Sequence, residues 1–231
     1  MLDWQTAKIL VLYFAAGCAA GYLLDYYCMR LIALEAVNDF ALSKAGVQGH
    51  SISRKILTVI GAGIIFVLAG IFCLPQAELY FCWFFLSCLL LQALIDYDCQ
   101  LLLDKVSLVL AGAGFFYNLY FQKNLTDVFF GLTIGTGIML ALYWLSRGGM
   151  GLGDVKLTAV LGIWLGLDGV LMGLLIAFLT GGITGMLLLA TGIRRRRDAI
   201  AFGPFLCLGA AVAMLWGHSI LSWYWQFFTL N

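Results

Sequence analysis

The residues with the clearest capacity for chemistry are an aspartate and the glycines in front of it. Asp154 closes the glycine-rich run G-G-M-G-L-G-D, which separates two long apolar segments. Because glycine has no side chain, the backbone of this loop can take left-handed angles and another chain can pass close to the acid. Gly151 and Gly153 are the nearest of these glycines. An ionisable side chain at the edge of an apolar segment is by default a functional-site hypothesis.

A second group of carboxylates follows another apolar run. The stretch I-D-Y-D-C-Q-L-L-L-D holds Asp96, Asp98 and Asp104, three of the 12 acidic residues in the chain. Asp96 directly follows the apolar run, whereas Asp98 is best explained as a solvated loop residue. If Asp96 and Asp154 come within a few ångströms of each other, the two carboxyl groups cannot easily both ionise, and they share a proton. Such a pair can activate a water for peptide-bond hydrolysis.

The composition indicates the surroundings in which these acids lie. Hydrophobic residues make up 63% of the 231 residues and charged residues only 11%. A soluble fold of this size could not bury so much apolar surface. A bilayer core of about 30 Å needs roughly 20 apolar residues per helix, and the chain supplies such segments repeatedly, without the alternation of a barrel. We therefore expect an all-α, polytopic integral membrane protein.

Hydropathy and charge predict the path of the chain through the membrane. We expect about eight spans: 7–29, 56–74, 78–96, 104–121, 127–145, 154–167, 169–191 and 200–222. If the N-terminus is outside, most lysines and arginines fall in inward-facing loops, and only Lys8 and Lys123 lie outside, as the positive-inside rule favours. The same orientation places four acids at the inner face: Asp96, Asp98, Asp104 and Asp154. Glycines four residues apart, such as Gly17 and Gly21, predict close helix contacts.

The remaining polar residues carry weaker signals. Asp25 lies about one turn from the inner end of the first span, where it could pair with Arg30 or Lys55 or face a polar cavity. An interfacial acid that snorkels beside the adjacent arginine is favoured over a catalytic acid. The loop over 31–55 predicts a short amphipathic helix on the inner surface. The 7 cysteines form no C-x-x-C pair, and His50 has no second ligand at metal-binding spacing, so no metal site is expected.

The acidic stretches together resemble a known family. I-D-Y-D-C-Q-L-L-L-D is similar to the first-aspartate motif of type IV prepilin peptidases, and G-M-G-L-G-D-V-K-L resembles their G-x-G-D motif with its following lysine. A-F-G-P-F at 201–205 and G-Y-L-L-D-Y-Y-C-M-R-L at 21–31 are similar to two further segments, in the family's order. The resemblance implies a membrane aspartic endopeptidase whose catalytic pair is Asp96 and Asp154.

The resemblance also implies a substrate and a location. The enzyme would remove the short basic leader of type IV prepilins or pseudopilins at the cytoplasmic face of the bacterial inner membrane. Its partners would be those peptides and the lipid bilayer, and no nucleic acid is expected. The chain would form one membrane domain over 1–231, with the first span and a short loop in 1–55 and the peptidase core in 56–231. Six residues are assigned supporting roles: Asp25, Asp98, Asp104, Gly151, Gly153 and Lys156.

The chain departs from the family pattern in its first loop. Many members carry there a domain with two C-x-x-C pairs that binds zinc, and they also methylate the new N-terminus with S-adenosylmethionine. This loop is short and has no cysteine, so zinc is not expected and methylation is left open. Asp25 stands where the first-helix signature usually has asparagine, which could alter docking of the leader.

Other functions are weighed against the peptidase. Membrane acids relay protons in proton-coupled transporters, but here they are predicted at one face, and no duplicated half is visible. Presenilin-type intramembrane proteases share G-x-G-D, yet their P-A-L element is absent, and A-F-G-P-F stands instead. An inactive scaffold is disfavoured because both presumed catalytic acids are present.

Overall fold

The computed structural model describes residues 4–38, 52–72, 76–146, 149–192 and 201–229. Within these ranges all regular secondary structure is helical, which confirms the predicted all-α fold. The helices are α1 (Trp4–Asn38), α2 (Ile52–Phe72), α3 (Gln76–Cys99), α4 (Asp104–Tyr120), α5 (Leu125–Leu145), α6 (Leu152–Ala190) and α7 (Gly203–Thr229). His50, and the surface helix predicted within 31–55 beyond residue 38, fall largely outside the described ranges.

Six of the helices in these ranges are long and apolar enough to cross a membrane. They are α1, α2, α3, α5, α6 and α7, and their large apolar side chains are exposed in many places, as expected where lipid rather than water surrounds a helix. The polytopic fold class is thereby confirmed, whereas the number of crossings and the orientation stay predictions.

The chain divides into two compact units, residues 1–99 and 100–231. In the first unit, α1 runs antiparallel to α2 through glycine contacts. A side chain added at Gly17 would begin 2.7 Å from the carbonyl oxygen of Ala62, and one added at Gly21 would begin 2.7 Å from the Ala62 Cβ. These distances leave no room for a methyl group, so the predicted close contact at this glycine pair is confirmed.

Trp83 joins α3 to the other two helices of the first unit. Its ring stacks on Phe66 at a centroid distance of 4.9 Å, meets Tyr13 edge-on at 5.0 Å, and donates from Nε1 to the Phe66 carbonyl at 3.2 Å. Since only three residues connect α2 to α3, this pairing makes the two helices antiparallel. The N-terminus of α2 and the C-terminus of α3, which carries Asp96, therefore lie at the same end of the unit.

The first helix is longer than predicted. It continues to Asn38, whereas the predicted span ended at 29 and a separate amphipathic helix was expected within 31–55. No glycine or proline interrupts the chain between Gly21 and Gly46, and the run from Leu34 to Ala36 consists of residue types that favour helix. The separate surface helix is thus wrong for residues 31–38, and residues 39–51 lie outside the described ranges.

In the second unit, α6 consists of two arms that fold back on each other. Its 39 residues would extend about 58 Å as one helix, about twice a bilayer core. Gly166, however, has non-helical angles of φ 68° and ψ −170°. A side chain added at Gly135 of α5 would lie 3.0 Å from Val170 and 3.5 Å from Thr158, so positions twelve residues apart in α6 lie at the same level of α5. The chain therefore reverses at Gly166, in agreement with the predicted boundary between segments 154–167 and 169–191.

The reversal breaks one backbone hydrogen bond of α6, and side chains from two neighbouring helices bind the two groups that lose it. In a continuous helix the Leu167 N–H would donate to the Ile163 carbonyl. Here the Leu167 N–H donates to Asp127 Oδ1 of α5 at 3.1 Å, and the Ile163 carbonyl accepts from Asn118 Nδ2 of α4 at 2.7 Å. Both backbone groups thus keep a hydrogen-bond partner within the protein.

These contacts set the direction of each segment in the second unit. The first arm of α6 (152–165) runs parallel to α4, since Lys156 lies beside Asp104 and Ile163 beside Asn118. Gly173 of the second arm (167–190) lies against Gly209 of α7, which runs antiparallel to it. The starts of α4, α6 and α7 consequently lie at one end of the unit, and Gly166 lies at the other.

We predict that Gly166→Ala destabilises the protein by at least about 2 kcal/mol. An alanine would adopt left-handed angles at a cost of about 1–2 kcal/mol, and its methyl group would clash with the Asp127 carboxylate that accepts the Leu167 N–H. Thermal unfolding of the purified protein in detergent measures the loss.

Gly137→Ala is the matched control, because a side chain added at this α5 glycine meets nothing within 4 Å. Alanine is favoured over glycine in a helix by up to about 1 kcal/mol, so this variant should melt at or above the wild-type temperature. Equal melting temperatures for the two variants would contradict the reversal at Gly166.

Candidate active site

Asp154 occupies the first turn of α6. The helix begins at Leu152, and Gly151 precedes it in an extended conformation, with φ −77° and ψ 141°, and makes no side-chain cap. The Asp154 N–H donates to the Gly151 carbonyl at 3.2 Å. The Asp154 side chain is only 7% exposed, and the start of a helix favours a negative charge. A carboxyl group is therefore held at a helix start beside a glycine-rich loop.

The two glycines before Asp154 have different surroundings. A side chain added at Gly151 would begin 3.6 Å from Asp154 Oδ2, in ordinary contact with the carboxylate. One added at Gly153 would begin 3.0 Å from Leu102 Cβ, so the chain before α4 packs directly on this glycine. Glycine at 151 thus leaves the side of the carboxylate open, whereas glycine at 153 permits close packing.

Lys156 and Asp104 form an ion pair at the same end of the unit. The Lys156 Nζ lies 2.7 Å from Asp104 Oδ2, and the two side chains are 57% and 68% exposed. Asp104 is the first residue of α4, and Lys156 lies one residue beyond the first turn of α6. The pair therefore joins the starts of two parallel helices.

In the first unit, Asp96 and Asp98 lie on different sides of α3. Asp96 is buried, and so are Ile95 beside it and Gln92 one turn earlier. Asp98 is exposed, as is Tyr97. Asp96 thus belongs to the packed side of the helix. Asp98 is exposed, as predicted, but it lies in the last turn of α3 and not in a loop.

Asp25 is buried as well, at 1% exposure. It lies one turn beyond Gly21, which contacts the α2 backbone at Thr58, and Cys28 on the same side of α1 is also buried. The preferred sequence interpretation, an acid that snorkels from the interface into water, is therefore wrong, because such a side chain would be exposed. Asp25 is part of the packing face of α1.

The structure brings several predicted residues together and also reveals some that sequence reasoning missed. Gly151 and Asp154 are adjacent, and Asp104 pairs with Lys156, all in the second unit, whereas Asp25, Asp96 and Asp98 belong to the first unit. Leu102 was not considered, since a leucine in an apolar chain carries no distinctive signal. Within the described residues, no group of three or more His, Cys, Asp or Glu side chains could hold a metal ion.

The fold and these side chains define a class of protein. It is a polytopic helical membrane protein in which a buried aspartate, Asp154, lies at a helix start beside a glycine-rich loop. Residues 83–186 match the type IV leader peptidase family, and this stretch contains Asp96, Asp104 and the loop up to Lys156. No solved structure matches the chain.

Three curated relatives are called prepilin leader peptidase/N-methyltransferase. The chain is 38% identical over 136 residues to that of Aeromonas salmonicida (strain A449) and 39% identical over 143 residues to that of Legionella pneumophila, in each case covering 56% of this chain and 47% of the relative. It is 32% identical over 220 residues to that of Escherichia coli (strain K12), covering 88% of this chain and 94% of the relative.

The chain therefore belongs to the type IV leader peptidase family. It spans about half the length of the Aeromonas and Legionella relatives and nearly the whole length of the one from Escherichia coli. Family membership does not favour the proton-coupled transporter that the sequence left as an alternative.

We predict that the aspartates differ in their reactivity toward a water-soluble carbodiimide and an amine. Asp98 and Asp104 should be labelled several-fold faster than Asp25 and Asp154, because the first two are exposed and the others are over nine-tenths buried. Peptide mass spectrometry of the protein in detergent measures each rate. Equal labelling of Asp104 and Asp154 would contradict the described burial.

Proposed function

We propose that this protein is an aspartic endopeptidase of the bacterial inner membrane that removes the short basic leader of type IV prepilins or pseudopilins at the cytoplasmic face. The observation that carries the proposal is the similarity to the prepilin leader peptidase/N-methyltransferase of Escherichia coli, which covers 94% of that protein. The positions of the acids support it. Asp104 and Asp154 lie in the first turns of their helices and Asp96 lies in the last turn of α3, rather than at the middle of the helices.

The catalytic pair in this proposal is Asp96 and Asp154. Each acid is buried, at 5% and 7% exposure, and each lies near a helix end. Two residues after each acid comes an exposed charged residue, Asp98 after Asp96 and Lys156 after Asp154. Each acid therefore lies on the packed side of its helix, and the charged residue after it lies on the exposed side. Only seven residues separate Asp96 from Asp104, the first residue of the helix that packs beside Asp154.

The chemistry follows from two carboxyl groups that share one proton. The ionised group takes a proton from a water, and the water oxygen attacks the scissile carbonyl carbon. The protonated group donates its proton to the carbonyl oxygen, which gives a tetrahedral diol. Collapse of the diol breaks the C–N bond, and the proton taken from the water passes to the leaving amine. One diol hydroxyl gives its proton back to the carboxylate that had protonated the carbonyl oxygen, so the pair again holds one proton. Because the titration belongs to the pair, neither acid has a fixed role.

The loop before Asp154 provides space for the substrate in this proposal. Gly151 is exposed and extended, and its missing side chain leaves space beside Asp154 Oδ2. An extended peptide can therefore approach the carboxylate along the backbone of this loop. The names of the relatives also include N-methyltransferase, and for this chain we propose cleavage as the activity.

We predict that Asp96→Asn and Asp154→Asn each lower leader cleavage by at least about 100-fold, because an amide can neither take nor give the proton that the reaction moves. Co-expression with a candidate prepilin, followed by mass measurement of the product N-terminus, reports cleavage and would also reveal an added methyl group. Asp98→Asn is the matched control and should retain most activity. Cleavage by either catalytic variant at the wild-type rate would remove the proposed pair.

Gly151→Ala should lower kcat/KM by about tenfold, which corresponds to about 1.4 kcal/mol. The added methyl group would lie 3.6 Å from Asp154 Oδ2, in the space assigned to the substrate, and the φ of −77° is open to alanine. The protein should therefore fold normally. Initial rates with a leader-bearing peptide test this prediction against Gly137→Ala, which should cleave as the wild type does. Equal rates for the two variants would show that substrate does not pass beside Gly151.

A further inference from the structure

The ion pair between Lys156 and Asp104 lies where the loop before α4 meets the start of α6. The packing of Leu102 on Gly153 is a second contact between these segments. The two segments lie close together at this second contact, since a Cβ added at Gly153 would lie 3.0 Å from the Leu102 Cβ. A contact on each side of Asp154 thus attaches the first turn of α6 to the residues that begin α4.

Lys156 points toward α4 and not toward the acid that precedes it. Helix residues two positions apart do not share a face, and Asp154 is buried whereas Lys156 is exposed. In the sequence, Lys156 is identified only as the lysine that follows the G-x-G-D motif, and no partner is predicted for it. The structure places its ammonium 2.7 Å from Asp104, so Lys156 could meet a substrate carboxylate only after leaving that partner.

An exposed ion pair of this kind contributes little to stability, typically about 0.2–1 kcal/mol. Its location is more informative than its strength. The N-caps of both helices, Leu103 and Gly151, make no side-chain cap hydrogen bond. The two parallel helices bring their positive dipole ends side by side, together with the charge of Lys156, and the Asp104 carboxylate offsets all three. The pair therefore links the starts of the two helices.

We propose that Asp104 and Lys156 are positioning residues for Asp154. Their ion pair holds the start of α6 against α4 and thereby sets the position of the Asp154 carboxylate for the reaction. This inference rests on the proposed function. Catalysis is far more sensitive to such a displacement than folding is, since a misplacement of about 1 Å can cost up to about 100-fold in rate.

The test compares Asp104→Asn, Lys156→Met and the reversed pair, Asp104→Lys with Lys156→Asp, in the full chain in detergent with a leader-bearing peptide. Each single variant should lower kcat by about tenfold with KM within about twofold, and the melting temperature should hardly change. The reversed pair should recover most of the lost kcat, and Asp104→Glu, which keeps the charge, should stay near wild type. Asp168→Asn and Lys123→Met, exposed charges near the Gly166 end of the unit, are the controls and should cleave normally.

A substrate-binding lysine would give a different pattern. Asp104→Asn would then release Lys156 and leave kcat unchanged or lower KM, whereas Lys156→Met would raise KM alone, and this pattern would overturn the proposal. Wild-type kcat in the single variants, or a reversed pair that folds but is no more active than they are, would also overturn it.

Carbodiimide labelling gives a readout that does not depend on cleavage. Labelling of Asp154 should become faster in both single variants and return toward the wild-type rate in the reversed pair. If the wild-type protein does not cleave any leader-bearing peptide, the proposed function fails. The labelling rates would still decide whether the ion pair positions Asp154, and unchanged labelling would overturn that inference.

Discussion

A chain that reverses within a long apolar helix must find new partners for the backbone groups whose hydrogen bonds it breaks, and the second unit meets this constraint at Gly166. The reversal leaves one N–H and one carbonyl without their helical partners. The new partners come from the two helices that flank the first arm of α6. Asp127 accepts a hydrogen bond from the N–H, and Asn118 donates one to the carbonyl. Without these two side chains the N–H and the carbonyl would lose their partners within the protein.

The consequences of the reversal reach the candidate site. Because α6 turns back after about fourteen residues, its first arm stays beside α4 over its whole length. The N-terminal turn of that arm is then brought to the start of α4, where Leu102 packs on Gly153 and Asp104 pairs with Lys156. The location of the acid at one end of the unit is thus linked to a turn at the opposite end.

The amino-acid sequence by itself determined the all-α class, the approximate course of the helices and the motif residues. These features depend on local composition and on patterns that are visible along the chain. It also predicted the division of α6, since Gly166 and its neighbours interrupt an apolar run that is too long for one crossing. It could not predict the continuation of α1 to Asn38, because a surface helix and a helical extension have the same local propensities.

Only the tertiary structure decided which polar side chains are buried and which residues are partners. Asp25 lies near the end of a predicted span, yet its place on the glycine-lined face of α1 buries it. The replacement of a backbone hydrogen bond by Asn118 and Asp127 joins three helices, and the pairing of Lys156 with Asp104 joins positions 52 residues apart in the sequence. Such contacts depend on how helices rotate and pack against each other, and a single sequence carries no local signal for that rotation.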